Sequence, residues 1–369
     1  MIYTDFSSAF QSVDHRFLLH KLQTSFGISG QMFALFSSYL THRRQRVVVD
    51  GITSEWCAVA SGVPEGSILG PSLFLAYIND IPYLLHSTCL LYADDLKVFR
   101  AVTDVSDSEL LQSDLNRLHL WSQTWHITLN PAKCFHLRVS LKSKPLPVRF
   151  SIDGTQLTHV TSMRDLGVIV DSKLNFSDHI DSIVKRGNRA LGLLIRSLQG
   201  VRGGYCKGGV IAAYYTNVRS ILEYGSVIWA GAAHSHLNRL ERIQHKFLSF
   251  LAGTRRDRYD MTDYEGLCMS YKVDTLVRRR TALDLSFLHG VVSGKIESPL
   301  LLGQFSLRVP NRTTRCPDFL FVPSCRVLAS MSALFSRLPR AFNSFLQIHP
   351  SFDIFNDSKS AMLRLYYLA

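Results

Sequence analysis

Short alternating apolar and polar runs, separated by stretches with helical spacing, fill the first 130 residues of the chain. Ile2-Tyr3-Thr4-Asp5-Phe6 is rich in β-branched and aromatic residues, which predicts a strand over residues 2–6. The patterns that follow predict helices over 14–26, 31–40 and 71–79, a hairpin over 46–60 with Asp50-Gly51 at its turn, and a Gly- and Pro-rich loop over 61–67.

Two apolar stretches flank a pair of adjacent aspartates further along the chain. Leu90-Leu91-Tyr92-Ala93 precedes Asp94-Asp95 and Leu96-Lys97-Val98-Phe99 follows, which predicts a hairpin with both carboxylates at the bend. Ser106 and Glu109 have the spacing of a capping box, so we expect a helix to open there and to run to about Trp125.

Residues 142–176 have a β-rich, irregular pattern, and from residue 177 onward the pattern becomes mostly helical. Residues 148–152 and 156–160 flank Asp153-Gly154 and predict another hairpin, and Leu166–Val170 predicts a short strand. Helices are predicted from residue 177 onward and over 210–222, 235–252, 278–288 and 331–338. This order of elements predicts an α+β fold: an antiparallel sheet backed by helices, followed by a mostly helical region.

The composition is that of a folded protein, with 46% hydrophobic and 19% charged residues. No apolar run approaches the roughly 18–20 residues that a membrane span needs, and the N-terminus lacks the pattern of a signal peptide. We therefore expect no membrane partner and a location in the cytoplasm or nucleus. The seven cysteines are odd in number and none are spaced as C-x-x-C, so the sequence signals neither a disulfide framework nor a zinc site.

The net charge of +12 is unevenly distributed. Residues 1–140 hold 10 Lys and Arg against 12 Asp and Glu, whereas residues 141–369 hold 31 against 17. Clusters such as Lys185-Arg186 and Arg278-Arg279-Arg280 add to this asymmetry. A basic excess of this size favours a polyanionic partner, with nucleic acid as the first candidate and general solubility as the alternative.

The adjacent aspartates are the strongest chemical signal. Two neighbouring carboxylates repel each other, and a bound divalent cation is an effective way to keep both ionised. Asp5 supplies a third carboxylate after another strand-like stretch. Three carboxylates at strand ends can hold two Mg²⁺ for phosphoryl transfer to a hydroxyl. By itself, Asp94-Asp95 is equally compatible with a solvated turn.

Four segments, taken in order, carry a resemblance to a known family. They are Asp5-Phe6-Ser7-Ser8-Ala9-Phe10, Gly62-Val63-Pro64-Glu65-Gly66-Ser67-Ile68-Leu69-Gly70-Pro71, Tyr92-Ala93-Asp94-Asp95 and Asp165-Leu166-Gly167-Val168. Together they resemble the palm of a reverse transcriptase from a non-LTR (LINE-type) retrotransposon of the jockey-like sort. Residues 221–229 and 237–248 also resemble such elements, and the resemblance weakens after about residue 255.

The resemblance implies an RNA-directed DNA polymerase, which extends a DNA primer with dNTPs on an RNA template. It implies that Asp5, Asp94 and Asp95 ligate two Mg²⁺ and that Lys133 acts on the departing pyrophosphate. It further implies nucleotide or template contacts at Phe6, Phe10, Gly62, Pro64, Glu65, Gly66, Ser67, Tyr92 and Ala93, and a primer grip at Leu166, Gly167 and Val168. Phe10 would be the aromatic gate against a ribose 2′-hydroxyl. Read alone, Phe10 could be a core residue and Lys133 a solvated loop lysine.

The chain also departs from the family pattern. Because Asp5 is close to residue 1, we expect the upstream fingers and endonuclease to be absent. The chain would then be a truncated or decayed copy that binds nucleic acid and polymerises poorly or not at all alone. Gln11 stands where the family usually has Asp, and Glu65 where it usually has Gln. A negative Glu65 would be unfavourable near the triphosphate in a dry site.

These inferences predict four segments: a palm over 1–140, palm and primer-grip hairpins over 141–176, a basic helical thumb over 177–253, and a C-terminal helical region of uncertain role over 254–369. One alternative function is a catalytically inactive, nucleic-acid-binding remnant that keeps the polymerase fold. Another is an unrelated metal-dependent phosphatase or nuclease, which would give residues 62–71 no role.

Overall fold

A computed structural model describes residues 1–144, 146–199, 206–253, 263–308, 318–323 and 333–368. The chain forms two compact units. Unit 1 consists of Met1–Met163 with Asp171–Lys173, and unit 2 of Arg164–Val170 with Leu174–Ala369. The predicted division into four segments remains a prediction.

The described strands are short. They are β1 (Ile2–Thr4), β2 (Arg44–Gln45), β3 (Val48–Val49), β4 (Ile52–Thr53), β5 (Cys57–Ala58), β6 (Thr88–Tyr92), β7 (Asp95–Phe99), β8 (Phe135–Leu137), β9 (Ser151–Ile152), β10 (Thr155–Gln156), β11 (Thr158–Val160), β12 (Ser162–Asp165) and β13 (Val168–Asp171). Five of them form the main sheet of unit 1, in the order β11-β8-β1-β7-β6. Only β11 and β8 pair in parallel within this sheet, and its other neighbours are antiparallel.

The described helices of unit 1 are α1 (His15–Thr24), α2 (Gly30–Leu40), α3 (Leu69–Ile78), α4 (Ile81–Leu84) and α5 (Val105–Thr124). They supply nearly half of the buried residues of the hydrophobic core of unit 1, and strands and loops supply the others. Leu18 of α1, Phe74 of α3 and Leu115 of α5 are fully buried there, together with Ile2 and Val98 of the central strands. An antiparallel-dominated sheet backed by helices confirms the α+β fold class.

Unit 2 is mostly helical in its described part. Its helices are α6 (Ser177–Gln199), α7 (Lys207–Tyr214), α8 (Ser220–Glu223), α9 (Ser226–Trp229), α10 (His234–Ala252), α11 (Tyr264–Tyr271), α12 (Leu276–Val292), α13 (Pro299–Leu302), α14 (Leu334–Ile348) and α15 (Lys359–Leu368). A π-helical stretch, Tyr215–Arg219, joins α7 to α8. α10 packs along α6, and the ring of Tyr214 stacks on Phe247 at a centroid distance of 4.0 Å. No helix in the described ranges is both long and apolar enough to cross a membrane.

Some predicted boundaries and one predicted cap were wrong. The helix expected from Pro71 begins at Leu69. The helix expected at Ser106 begins at Val105, because Asp104 and not Ser106 is its N-cap and accepts a hydrogen bond from the Asp107 N–H.

Corrections also apply to the later elements. The strand expected over 166–170 begins at Val168, because Leu166 and Gly167 have φ of +44° and +86° and occupy the turn after β12. The helix expected over 278–288 extends from Leu276 to Val292. Of the helix expected over 331–338, residues 331 and 332 lie outside the described residues, and α14 continues well past the predicted end.

Candidate active site

The strand register brings the three aspartates to one end of the main sheet. Thr4 of β1 lies opposite Leu96 of β7, so Asp5 and Asp95 are the next positions along the two strands. Directly opposed residues of antiparallel strands present their side chains on the same face. Tyr92 pairs with Asp95, which leaves Ala93 and Asp94 as the two residues of the turn.

The local backbone explains how this turn forms. Ala93 has φ of +51°, a left-handed conformation that is uncommon for a residue with a Cβ. A positive φ at the first central position suits the tight turns that join twisted antiparallel strands. The turn leaves the side chains of Asp94 and Asp95 exposed, and that of Tyr92 is 64% exposed.

Asp5 sits beside a lysine that comes from a different part of unit 1. Its backbone carbonyl accepts a hydrogen bond from the Asn130 N–H at 2.9 Å, which fixes the start of the one-turn 3₁₀ helix Pro131–Lys133. This helix places Lys133 Nζ at 3.7 Å from Asp5 Oδ2. The lysine is 69% exposed and the aspartate 39%, so both remain accessible to solvent.

The donor chemistry of these carboxylates fits Mg²⁺, which prefers oxygen ligands. The described residues nevertheless hold no group of three or more His, Cys, Asp or Glu side chains that could bind a metal by themselves. Mg²⁺ is usually bound by one or two carboxylates, with waters and substrate phosphates completing the shell. The arrangement therefore fits an ion that is completed by its substrate, and not an all-protein cage.

The Gly- and Pro-rich loop is fastened to the segment that follows Asp5. The Gly62 N–H donates to the Val13 carbonyl at 2.8 Å, and the Val63 N–H donates to the Phe10 carbonyl at 2.9 Å. His15 is buried and its Nε2 lies 2.7 Å from the Gly62 carbonyl, to which it donates. Gly62 has φ of +90°, and a Cβ there would lie 3.0 Å from the backbone of Gln11, so this close approach requires glycine.

Hydrogen bonds of the Ser67 side chain stabilise the end of the same loop. Ser67 Oγ donates to the Pro64 carbonyl at 2.7 Å and accepts from the Gly70 N–H at 2.9 Å. Gly66 has φ of +73° and no neighbouring atom near its missing Cβ. Ser67 thus closes the turn that contains Gly66 and links the loop to the first turn of α3.

The two phenylalanines assigned to nucleotide contact have different surroundings. Phe6 is 4% exposed and lies in the core, with its ring 6.3 Å from that of Trp121. Its side chain therefore belongs to the core, and a nucleotide or template contact at Phe6 stays a prediction. Phe10 is half-buried, and its ring stacks on Phe74 of α3 at 4.5 Å. One face of its ring is thus packed against α3, and its role as a gate remains a prediction.

The two departures from the family pattern lie against each other. Gln11 Nε2 donates a hydrogen bond to Glu65 Oε1 at 3.2 Å. Both residues are exposed, so the low-dielectric surroundings assumed for Glu65 are not those of this structure. Water screens the Glu65 carboxylate in this state, and the penalty expected for its charge beside a bound triphosphate stays a prediction.

The turn assigned as a primer grip is well supported within unit 2. Tyr224 donates its hydroxyl to the Leu166 carbonyl at 2.8 Å, and its ring would lie 3.1 Å from a Cβ on Gly167. On the following strand, the Ile169 N–H donates to Nδ1 of the buried His179. Burial of its imidazole lowers the pKa of His179 to about 4, which agrees with an Nδ1 that accepts.

Comparison with known proteins identifies the region that contains this site. Residues 1–170 match the family described as reverse transcriptase (RNA-dependent DNA polymerase). These residues form a reverse transcriptase domain. This match, together with the relatives described next, confirms the resemblance to non-LTR retrotransposon enzymes predicted from the motifs.

The reverse transcriptase domain and part of the helical region have named relatives in Drosophila melanogaster. The chain is 29% identical over 260 residues to the RNA-directed DNA polymerase from mobile element jockey, which covers 68% of this chain and 28% of that protein. It is 29% identical over 258 residues to the probable RNA-directed DNA polymerase from transposon X-element, again 68% and 28% of the two chains. It is 28% identical over 255 residues to the corresponding protein of transposon BS, at 66% and 28%. The chain thus spans a little over a quarter of the length of these relatives.

The reverse transcriptase domain also has a surface groove that none of the four motifs predicted. A groove of about 680 Å³ is lined by Gln11, His15, Arg43, Arg44, Gln45 and the loop Ala58–Glu65, together with Leu40. The paired arginines were a visible signal, but they lie outside the four motifs. His15 gave no signal by itself, since its role depends on a carbonyl 47 residues away.

Proposed function

We propose that this chain carries out RNA-directed DNA synthesis, adding deoxynucleotides to the 3′-hydroxyl of a DNA primer. The poor extension expected above for the chain alone stays a prediction about its rate, which the assay below measures. The observation that carries the proposal is the register that sets Asp5 opposite Asp95, with Asp94 in the adjoining turn. The match of residues 1–170 to the reverse transcriptase family supports it.

The side chains divide the chemistry among them. Asp5, Asp94 and Asp95 would hold two Mg²⁺, which when bound activate the primer hydroxyl and neutralise charge on the leaving pyrophosphate. Lys133, 3.7 Å from Asp5, supplies a cation and a proton donor on the same side of the sheet. Phe10, stacked on Phe74, excludes a ribose 2′-hydroxyl by occupying its space.

The remaining contacts bind the nucleic acid. The loop from Gly62 to Ser67 brings backbone close to the template and the incoming nucleotide, since glycine leaves the main chain uncovered. The excess of Lys and Arg after residue 140 supports backbone contacts without sequence preference, whose strength should fall steeply with added salt.

Primer extension tests the proposal. The purified chain is incubated with an RNA template, an annealed DNA primer, dNTPs and Mg²⁺, and products are resolved by length. Asp94→Asn should reduce extension at least about 100-fold, because a metal ligand contributes several kcal/mol to the transition state. Asp153→Asn is the matched control, since Asp153 is also an exposed aspartate in a hairpin turn.

Three outcomes would contradict the proposal. One is tight binding of template and primer with no extension, which is the behaviour of an inactive binding protein. Another is cleavage of phosphodiesters without added nucleotide, the behaviour of a nuclease. The last is an equal effect of the two substitutions on extension.

A further inference from the structure

Backbone and side-chain hydrogen bonds join residues 10–13 to the loop over residues 61–67, next to the proposed nucleotide site. Backbone hydrogen bonds connect Gly62 to Val13 and Val63 to Phe10. Ser61 Oγ adds a bond to the Gln11 carbonyl at 3.0 Å. These contacts fix the first half of the loop against the segment that bears the gate residue Phe10.

The second half of the loop is a turn with its own internal bonds. The Ser67 N–H donates to the Pro64 carbonyl at 3.3 Å, and Ser67 Oγ donates to the same carbonyl at 2.7 Å. The hydrogen bond from Gln11 Nε2 to Glu65 Oε1 reaches this turn from the segment that bears Phe10, two residues beyond Val63. It is therefore a side-chain contact that ties the turn to the gate segment.

We propose that Gln11 and Glu65 act as a positioning pair that sets the distance between the gate residue Phe10 and the nucleotide-binding half of the loop. Gln11 directly follows Phe10, and Glu65 lies between Pro64 and Gly66, so the pair connects the gate segment directly to the loop. The pair acts through its neighbours and takes no part in the chemical step. This inference rests on the proposed function.

The side chains of Gln11 and Glu65 can be exchanged without losing the hydrogen bond between them. An amide donates and a carboxylate accepts, so exchanging the two side chains keeps one hydrogen bond and reverses its direction. Gln and Glu have the same length, so Gln11→Glu combined with Glu65→Gln preserves the geometry. Gln11→Glu alone places two carboxylates against each other, whereas Glu65→Gln alone leaves two amides that can still pair.

A double-mutant cycle on primer extension tests this inference. Gln11→Glu should raise the KM for dNTP about three- to fivefold, the range of an exposed charge interaction, and leave kcat nearly unchanged. Glu65→Gln should have a smaller effect. The double variant should return to within about twofold of the original chain, because the hydrogen bond is restored. A purely structural role would lower the folded fraction and with it the apparent kcat, and would not raise KM selectively.

A second measurement separates this inference from the proposed function. Amide hydrogen exchange over residues 62–67 needs no catalytic activity, and it should be faster in Gln11→Glu and normal in the double variant. If the chain does not extend primers but exchange shows this rescue, the positioning pair stands and the proposed function fails. If the two substitutions are additive in exchange, or in KM where extension is measurable, the two residues do not act as a pair and the inference is overturned.

Discussion

Replacing Asp114 with alanine should destabilise unit 1 and loosen the strand that leads to the Asp94-Asp95 turn. Asp114 lies on α5 and is 1% exposed. Its two carboxylate oxygens accept hydrogen bonds from the His86 N–H at 3.0 Å and the Ser87 N–H at 2.7 Å. Ser87 immediately precedes β6, so this carboxylate anchors the strand at the end opposite to the turn.

The magnitude follows from the surroundings of the two donors. A hydrogen bond to a charged group contributes about 1.5–3 kcal/mol, and a buried donor left without a partner costs about 1–3 kcal/mol. His86 is exposed, so water can replace its lost partner, whereas Ser87 is 5% exposed and its N–H would stay unsatisfied. We therefore expect Asp114→Ala to lower the free energy of unfolding by about 2–4 kcal/mol. Asp114→Asn retains one acceptor and should lose about half of that.

Thermal unfolding followed by circular dichroism measures this loss. For a unit of this size, each kcal/mol lowers Tm by about 2–4 °C, which predicts a decrease of about 5–15 °C. Hydrogen exchange should show faster exchange in residues 86–92, and Asp153→Asn should leave both readings unchanged. A Tm for Asp114→Ala within about 1 °C of the original would refute the reasoning, since a buried charged acceptor cannot be lost at no cost.

Two further predictions concern a glycine and a histidine. Gly70→Ala should lower the free energy of unfolding of unit 1 in urea by about 1–3 kcal/mol, because the new Cβ would lie 2.7 Å from the Pro64 carbonyl oxygen. Gly192→Ala is the control: no atom lies within 4 Å of its Cβ, so it should stabilise α6 by about 0.5–1 kcal/mol. Equal effects of the two substitutions would contradict the predicted clash at Gly70. The free energy of unfolding of unit 2 should be highest above pH 6.5 and decrease as the pH falls towards 4. The reason is that His179 binds a proton near pH 6.5 in the unfolded chain but only near pH 4 in the folded one, and the total loss should approach about 3 kcal/mol. In His179→Gln this decrease should be reduced, and an unchanged pH profile would rule out His179 as its source.

The turns were predictable from the sequence because their chemistry is local. Asp50-Gly51 and Asp153-Gly154 were both predicted as hairpin turns, and all four residues have positive φ. The predicted N-cap at Ser106 was wrong although helix capping also depends on residues only a few positions apart. Asp104, two residues earlier, is also a good N-cap and captured the Asp107 N–H, and spacing alone could not choose between them.

The burial of the Phe6 side chain could be predicted from the alternation of side chains along a strand. Side chains alternate between the two faces of a strand, so Phe6 shares a face with Ile2 and Thr4. All three are buried, whereas Asp5 on the other face is partly exposed. The Gln11–Glu65 contact had no such signal, because it depends on how two loops 54 residues apart approach each other.

The geometry of the three aspartates depends on apolar residues that take no part in the chemistry. A slip of one residue between β1 and β7 would turn the side chains of one strand to the opposite face and separate Asp5 from Asp95. The pairing of Ile2 with Val98, both fully buried, opposes such a slip, since exposing either would cost about 1.5–3 kcal/mol. Thr4 Oγ1 adds a buried hydrogen bond to the Leu96 carbonyl in the same register. The hydrophobic face of the sheet thus holds together carboxylates that would otherwise repel each other, and this is why the core and the candidate site must be considered as one structure.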